Sequence, residues 1–533
     1  MKKVYFLLFL LLVIIITPLS NKSFNQKNKN YNVYVEENGL YVKSSLNKLS
    51  SRGYILDSIK SSCINNSAIS QDSYGMVSVT TTKEEKCNFY FKKASDITLN
   101  KLHSLNSNIE LKKISGYPKL ETLSPKPTSY YDGLFSTNET YSTAGSADYY
   151  ITVSQSYTFN ETTGKYTLNN PESKKWSEIL SLLNSGTYYS GMTGLSTSSD
   201  LQNYNNRDNL YKISTNSTTG RYYYYPNNIK KIKTWDENDV GLFSMEDDYG
   251  DSYYFRGNVE NNYFKFGKNS SNQDMYWRII RINGDGSIRL MYDGTSAHDN
   301  GEYNTDRIAF QSKFNDNNDD NGYLGYMYGN FTAPSTTYEE AHANEVSSSL
   351  KTNLESWYTT NIENMGYSIY VEDEIFCNDR SIVNGFGFGK NNTDYTGSSK
   401  IVGSYVNNLK CPQKNDSFTV NENIKGNAAL SKPVGIITVS EMSIAGASGA
   451  SYNYYAYFVK GTNYWTLSPR SYYNQNNSGY LVVTVPSGGL NYASGQRLNS
   501  NQGVAPVINI KRDYLNNIEG AGTKTNPFYI QNN

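Results

Sequence analysis

The sequence predicts an α+β, β-rich fold in which small N-terminal β modules precede a larger C-terminal domain. Three observations point there. Runs such as YNVYVEENGLYVK, GMVSVTTT and KCNFYFKK alternate and are rich in Val, Tyr and Thr, side chains suited to a pleated, half-buried surface. WRIIRINGDGSIRLMYDG (277–294) sets two alternating strands around Asn283-Gly284-Asp285-Gly286, the strongest hairpin signal in the chain. Helical spacing is confined to a few short stretches.

A chain of 533 residues exceeds one ordinary core, so several domains are expected. It holds 50 Tyr against 20 Phe and 5 Trp. Tyrosine buries its ring and keeps its hydroxyl wet, which suits half-exposed sheets. A coding bias that enriches Tyr, Asn, Lys and Ile together explains most of these totals, so local placement carries the information. Lys plus Arg equals Asp plus Glu at 49 each, and there is no long basic run, so no electrostatic case for nucleic acid exists.

Lys2 and Lys3 precede an almost unbroken apolar run, Val4 to Ile16, before the chain turns polar. Residues 1–20 therefore read as a secretory signal peptide. The run is short for a membrane span, but no A-x-A-like site follows it, so a retained N-terminal membrane anchor stays open. Membrane contact is expected only through this segment, if it is uncleaved. No second run of spanning length and no LPxTG-like sorting tail occurs. The expected location is secreted, or on the extracellular face of the cell envelope. The four cysteines agree with it. Their spacings suit neither a CxxC metal knuckle nor a redox motif, and an even count behind an export signal favours two local disulfides, Cys63–Cys87 and Cys377–Cys411.

Residues 21–115 read as a small β module around the first cysteine pair. Pro-punctuated residues 116–129 read as a linker. Residues 130–235, rich in Ser, Thr and Tyr, read as a second β module or an elaborate linker. Within them YYITVSQSYTFNETTGKYTLNN predicts a hairpin turning at Thr162–Gly164, and KKWSEILSLLNSG a short amphipathic helix. YYYYP at 222–226 reads as an edge strand, since Pro suits a central one poorly. From 236 to 533 the pattern is denser. YYFRGNVENNYFKF (253–266) alternates and turns near Glu260–Asn262. Val346, Leu350, Leu354, Trp357 and Ile362 predict a helix within 338–362. Thr438-x-x-Glu441 predicts a capping box opening a second helix after the strand VGIIT.

The runs EDDYGDSYYFRGNVENNYFKF, YWRIIRINGDGSIRLMYDGTSAH, DNGYLGYMYG, FCNDRS, CPQKND, YWTLSP and GVAPVINI resemble a family of uncharacterised secreted or surface bacterial proteins. The resemblance covers about half the chain. It implies a C-terminal C-type-lectin-like domain, the fold of formylglycine-generating enzyme and of the variable proteins of diversity-generating retroelements. One position departs from the pattern. The family carries Arg in GVRPV, and here Ala505 stands there, so any contact made by that Arg is lost.

Enzyme signatures are missing: no GxSxG, HExxH, P-loop or Rossmann fingerprint occurs. The chain is expected not to be an enzyme, and no cofactor is expected beyond calcium. Asp316, Asn318 and Asp320 alternate as hard oxygen ligands should, with Gly322 allowing a sharp turn, though the bidentate Glu of an EF-hand is absent. His298, close to Asp299, Glu302 and Asp306, reads as a polar surface loop rather than a metal cluster. Trp277, Trp357 and Trp465 read as core packing rather than sugar platforms.

The candidate binding surface lies between the stiff anchors YWTLSP and GVAPVINI. Tyr472, Tyr473, Asn474 and Asn476 fall in one stretch, and Asn491, Tyr492, Gln496 and Arg497 follow the PSGG turn. Tyrosine supplies contact area at small entropic cost, and amides bond hydroxyls or backbone groups. The expected function is recognition or adhesion at the cell surface, with a glycan or protein as partner. The alternatives are a non-catalytic structural envelope protein and an envelope-directed enzyme.

Overall fold

The computed structural model describes residues 31–112 with breaks at 38, 45–51, 73–74 and 82–85, strand backbones between 140 and 225, and residues 240–531 with breaks at 398–407, 422–424, 448–455, 477 and 484–494. The N-terminal apolar segment, the 116–129 linker and most of the helix read at 174–186 lie outside the described residues. Among the described residues no helix is long and apolar enough to cross a membrane.

The N-terminal sheet runs in the order Leu40–Ser44, Tyr31–Glu37, Cys87–Lys93, Tyr54–Leu56, with Ser62–Cys63 also paired to Cys87–Lys93. The first two strands form a hairpin through Gly39, whose φ of 81° an L side chain adopts at a cost. Cys63 lies directly opposite Cys87 in an antiparallel pair, and the two form a disulfide. With Val33, Phe89 and Phe91 they make a small core. Alternation is strict here: Val33, Val35, Phe89 and Phe91 point inward, and Tyr34 and Tyr90 stack on the outer face at 4.8 Å.

Directly after this sheet comes a helix the sequence pattern did not suggest, Ala94–Leu105. Its apolar face is thin, only Ala94 and Leu102 among its buried residues, so its periodicity is faint. Leu102 and, beyond it, Ile109 enter the main core of the C-terminal domain. Thr98 donates to the carbonyl of Gly286 at 2.6 Å, and Tyr253 hydrogen-bonds Asp96. The packing thus continues across the boundary read at residue 115. Gly53 lies so close to the Tyr249 carbonyl that a Cβ would collide with it. Arg52 reaches Asp285 at 2.6 Å, Glu374 at 2.8 Å and Glu372 at 3.2 Å, pinning the N-terminal sheet to the C-terminal domain.

Between 140 and 225 the strands pair locally. Ser156–Asn160 and Lys165–Asn169 form the expected hairpin, and Tyr150–Val153 pairs with Glu172–Lys175. Lys174 and Lys175, read as the start of a helix, are therefore in a strand. Gly220–Tyr225 pairs with Thr140–Ser142 on one side and Lys212–Ser214 on the other. It is central in its sheet, not at an edge.

The C-terminal domain is built on an eight-stranded sheet and a five-stranded sheet, with smaller pairs between. It is β-rich with a few short helices, in keeping with the α+β class. The hairpin Asp274–Ile282/Ile288–Gly294 is the centre of the larger sheet and turns through Gly286 at φ 85°. Tyr263–Lys268 does not fold back on Asp251–Arg256 as its spacing suggested. Both strands pair with Asp274–Ile282 instead, one after the other along the same edge, because Ile288–Gly294 fills its other edge. Nor does the hairpin show one wet face: nearly every residue of both strands is buried. Arg278, Arg281 and Arg289 stay charged inside because each has partners. Arg281 meets Asp247 at 2.6 Å and Glu441 at 3.3 Å, and Arg289 meets Glu441 at 2.6 Å.

Glu441 therefore has two tasks. The predicted capping box is present, with Thr438 accepting from the Glu441 amide and the Glu441 side chain accepting from the Thr438 amide. Its other carboxylate oxygen takes both arginines. The helix read within 338–362 is shorter than its periodicity. It begins at Ser349 because the Ser348 hydroxyl caps the Lys351 amide, and Val346 instead pairs with Tyr328 in a short strand. It continues past Tyr358 in a wider π turn to Glu363. Cys377 and Cys411 form the second disulfide.

Candidate functional site

The two anchors of the sequence, YWTLSP and GVAPVINI, sit in different sheets. Trp465–Tyr473 is the middle strand of the five-stranded sheet, and Val507–Ile510 is an edge partner of the main hairpin. Trp465 is buried and donates its indole N–H to the Ser312 carbonyl at 2.8 Å. Trp277 is equally buried, and Trp357 packs edge-on against it. Ala505 is buried in the core and offers no side chain to a ligand.

The register of the five-stranded sheet decides which side chains face outward. Asp394 is opposite Ser471, Ser471 opposite Tyr480, and Tyr480 opposite Arg497. Residues directly across a ladder share a face, so these four form a transverse row over four strands, in which Ser471 is buried, Asp394 and Tyr480 are half-buried and Arg497 is exposed. The adjacent row, Thr393–Tyr472–Gly479, points the other way. Tyr472 has no exposed surface, and a Cβ at Gly479 would press on Leu498 and Leu324. Tyr472 is thus a core residue and is withdrawn from the binding set, because alternation past Ser471 turns it away from Tyr473. Tyr473 is half-buried and leans on Tyr480, with ring centroids 5.8 Å apart.

Electrostatics at the row are asymmetric. The Arg470 guanidinium lies 5.7 Å from the Tyr473 ring centre and donates to the Ser471 hydroxyl at 2.6 Å. Burial raises the Asp394 carboxyl above its ordinary range, while Arg470 and a hydrogen bond from Tyr473 oppose that shift. Arg497, by contrast, is exposed, and its side chain has no hydrogen bond or ion pair among the described residues. Asn474–Asn476 forms an exposed turn at the rim. The Asn474 amide donates to Asn392 Oδ1 at 2.7 Å, and Asn476 Nδ2 approaches the Tyr480 hydroxyl at 3.3 Å. Gln496 pairs with Leu481, in the row that alternates with Arg497, so it lies on the opposite face. Asn491 and Tyr492 lie outside the described residues.

Of the sequence-read site, then, Tyr473, Asn474, Asn476 and Arg497 are brought together. Tyr480, Ser471, Arg470, Asp394 and Asn392 join them. Alternation counted from Tyr473 would have found Ser471. Asp394 and Asn392 come from a strand about eighty residues earlier and have no local signal.

The calcium reading does not find its ligands converging. Asp316 is held by Lys313 at 2.9 Å and accepts from the Ser349 hydroxyl at 2.8 Å. Asp320 caps a short helix, accepting from the Gly322 amide and from both the amide and hydroxyl of Ser335. The Asn318 amide reaches towards the Ser478 hydroxyl at 3.5 Å. Among the described residues no three His, Cys, Asp or Glu side chains are arranged to hold a metal ion. His298 does lie in a loop, between the exposed Ser296 and Asp299, but its own ring is buried, with Glu302 at 2.9 Å from Nδ1 and Asp306 at 2.8 Å from Nε2. All four cysteines are in disulfides.

No family model, no curated protein and no solved structure matches this chain.

Proposed function

We propose that this chain is an exported recognition protein that binds a glycan or a protein surface through the outward face of its five-stranded sheet. In this reading the C-terminal domain has the C-type-lectin-like arrangement, the segment 1–20 directs export, and the mature chain acts in the medium or on the cell surface. The observation that carries the reading is the row Asp394–Ser471–Tyr480–Arg497 with Tyr473 beside it and an Asn rim. Rigid strands fix these groups in place, and Arg497 presents a charge that nothing described neutralises. Aromatic and arginine side chains on a rigid frame are the usual anchors of a recognition surface. The two disulfides support an oxidising compartment.

The test is capture of cell-wall glycans and host glycoproteins by the whole chain. The whole chain is needed because helix Ala94–Leu105 packs into the C-terminal core and a fragment starting at 236 would lose it. A variant carrying Y473A and R497A is the control. Capture by the native chain and its loss in a control that melts at the same temperature support the proposal. Equal capture by both moves the site elsewhere.

A further inference from the structure

A concavity lies where the N-terminal sheet meets the C-terminal domain. It encloses about 280 Å³. One wall is N-terminal, with Tyr54, Ile55, Gln71 and Asp72. The other is C-terminal, with Glu372, Asp373, Lys511, Arg512 and Asp513.

The walls are fixed relative to one another. Arg52 joins Asp285, Glu372 and Glu374 beneath the floor. Arg512 donates to the Asp285 carbonyl at 2.6 Å, and the Ala94 amide donates to the Gly53 carbonyl at 2.9 Å. Gln71 is spent internally, its carbonyl accepting from the Leu56 amide and its Nε2 donating to the Tyr54 and Gly75 carbonyls. Asp373 is likewise spent on the Val420 and Asn421 amides and the Asn421 side chain. The cleft is thus a preformed volume, and a site at a module junction with a few convergent polar groups is a usual place for a small ligand.

The groups with capacity left are of opposite sign. Lys511 is half-buried, and its ammonium has no hydrogen bond or ion pair among the described residues. Asp513 is exposed and equally uncommitted. Glu372 gives one oxygen, Oε1, to Arg52 and to the Asp373 amide, which leaves the other to the cleft. Burial raises the Glu372 carboxyl, while Arg52 and Lys511 pull it back. A ligand of single charge would leave one of these signs unanswered in a partly desolvated space.

We propose that this cleft binds a small zwitterion, an amino acid or a dipeptide, with its ammonium towards Glu372 and Asp513 and its carboxylate towards Lys511. The proposal is independent of the recognition face. The experiment is calorimetric titration of the whole chain with single L-amino acids and dipeptides, and with N-acetyl and methyl ester forms of any that bind. The expected result is binding of at least one zwitterion, with each blocked form at least ten times weaker. Lys511→Met, at a position with no described side-chain bonds, is expected to weaken it at least tenfold with an unchanged melting temperature. Glu372→Gln tests the other pole. No heat with any amino acid or dipeptide, an ester that binds as well as its parent, or full affinity in Lys511→Met would each overturn the proposal.

Discussion

Tyr472 and Tyr473 are neighbours of one residue type, and the structure gives them opposite roles. Strand alternation buries the first and presents the second. Replacing Tyr472 with Ala should remove a buried aromatic ring and cost about 3 kcal/mol or more, seen as a lowered denaturation midpoint. Y473A, at a half-buried ring, should cost clearly less. Equal destabilisation by the two would contradict the register. A second residue-scale prediction concerns Lys460, which is fully buried with its ammonium 2.6 Å from Asp293 and near Arg307 and Arg278. Burial lowers it from 10.5 to about 8, with Asp293 opposing. Between those values the unfolded chain holds more protons than the folded one, so this residue makes stability rise with pH across the window. The benefit is complete above 10.5 and is lost as pH falls through about 8. Unfolding free energies of the native chain and K460M, measured from pH 8 to 10, should diverge by on the order of 2 kcal/mol in favour of the native chain at the alkaline end. Parallel profiles would show that Lys460 does not titrate differently on folding.

At the scale of elements, the central hairpin and the 439–444 helix depend on one carboxylate. Glu441 completes the capping box and meets both Arg281 and Arg289. E441Q should leave the buried Arg289 without its carboxylate and Arg281 with Asp247 alone, and cost about 3–5 kcal/mol in denaturant titrations, whereas T438A should cost only about 1 kcal/mol as a lost cap. Similar small losses for both would mean that the ion pairs contribute little. These elements also show what the sequence could reveal. The hairpin at 277–294, the capping box and both disulfides are local in character, set by turn glycines, a fixed three-residue spacing and short loops, so each was legible. The pairing of both earlier strands with one edge of Asp274–Ile282, rather than with each other, was not, because strand order is a long-range choice that adjacent residues do not encode. The burial of Arg278, Arg281 and Arg289 was hidden for the same reason: their partners come from strands and helices as far as 220 residues away. Helix Ala94–Leu105 escaped notice because tertiary packing, not its own periodicity, holds it.

For the whole molecule, the N-terminal sheet and the C-terminal domain act as a joined pair rather than beads on a linker. The joint rests on Arg52 amid three carboxylates and on Leu102 and Ile109 in the shared core. R52A should expose the N-terminal sheet to limited proteolysis and leave the far side of the C-terminal domain protected, because three carboxylates would then share a buried site without their cation. Unchanged proteolysis would show that the helix alone holds the joint. The candidate site was half legible at this scale. Tyr473, Asn474, Asn476 and Arg497 were marked by residue type, but the face they share with Asp394 and Tyr480 exists only once four strands are in register.

The central claim is that this face is where the molecule meets its partner. Amide hydrogen exchange of the whole chain, with and without a captured glycan or glycoprotein, tests it most directly. Slowed exchange concentrated in 392–395, 470–476 and 478–483 and around Arg497, with the opposite sheet unchanged, is the predicted result. Protection elsewhere with these segments unaffected would contradict it.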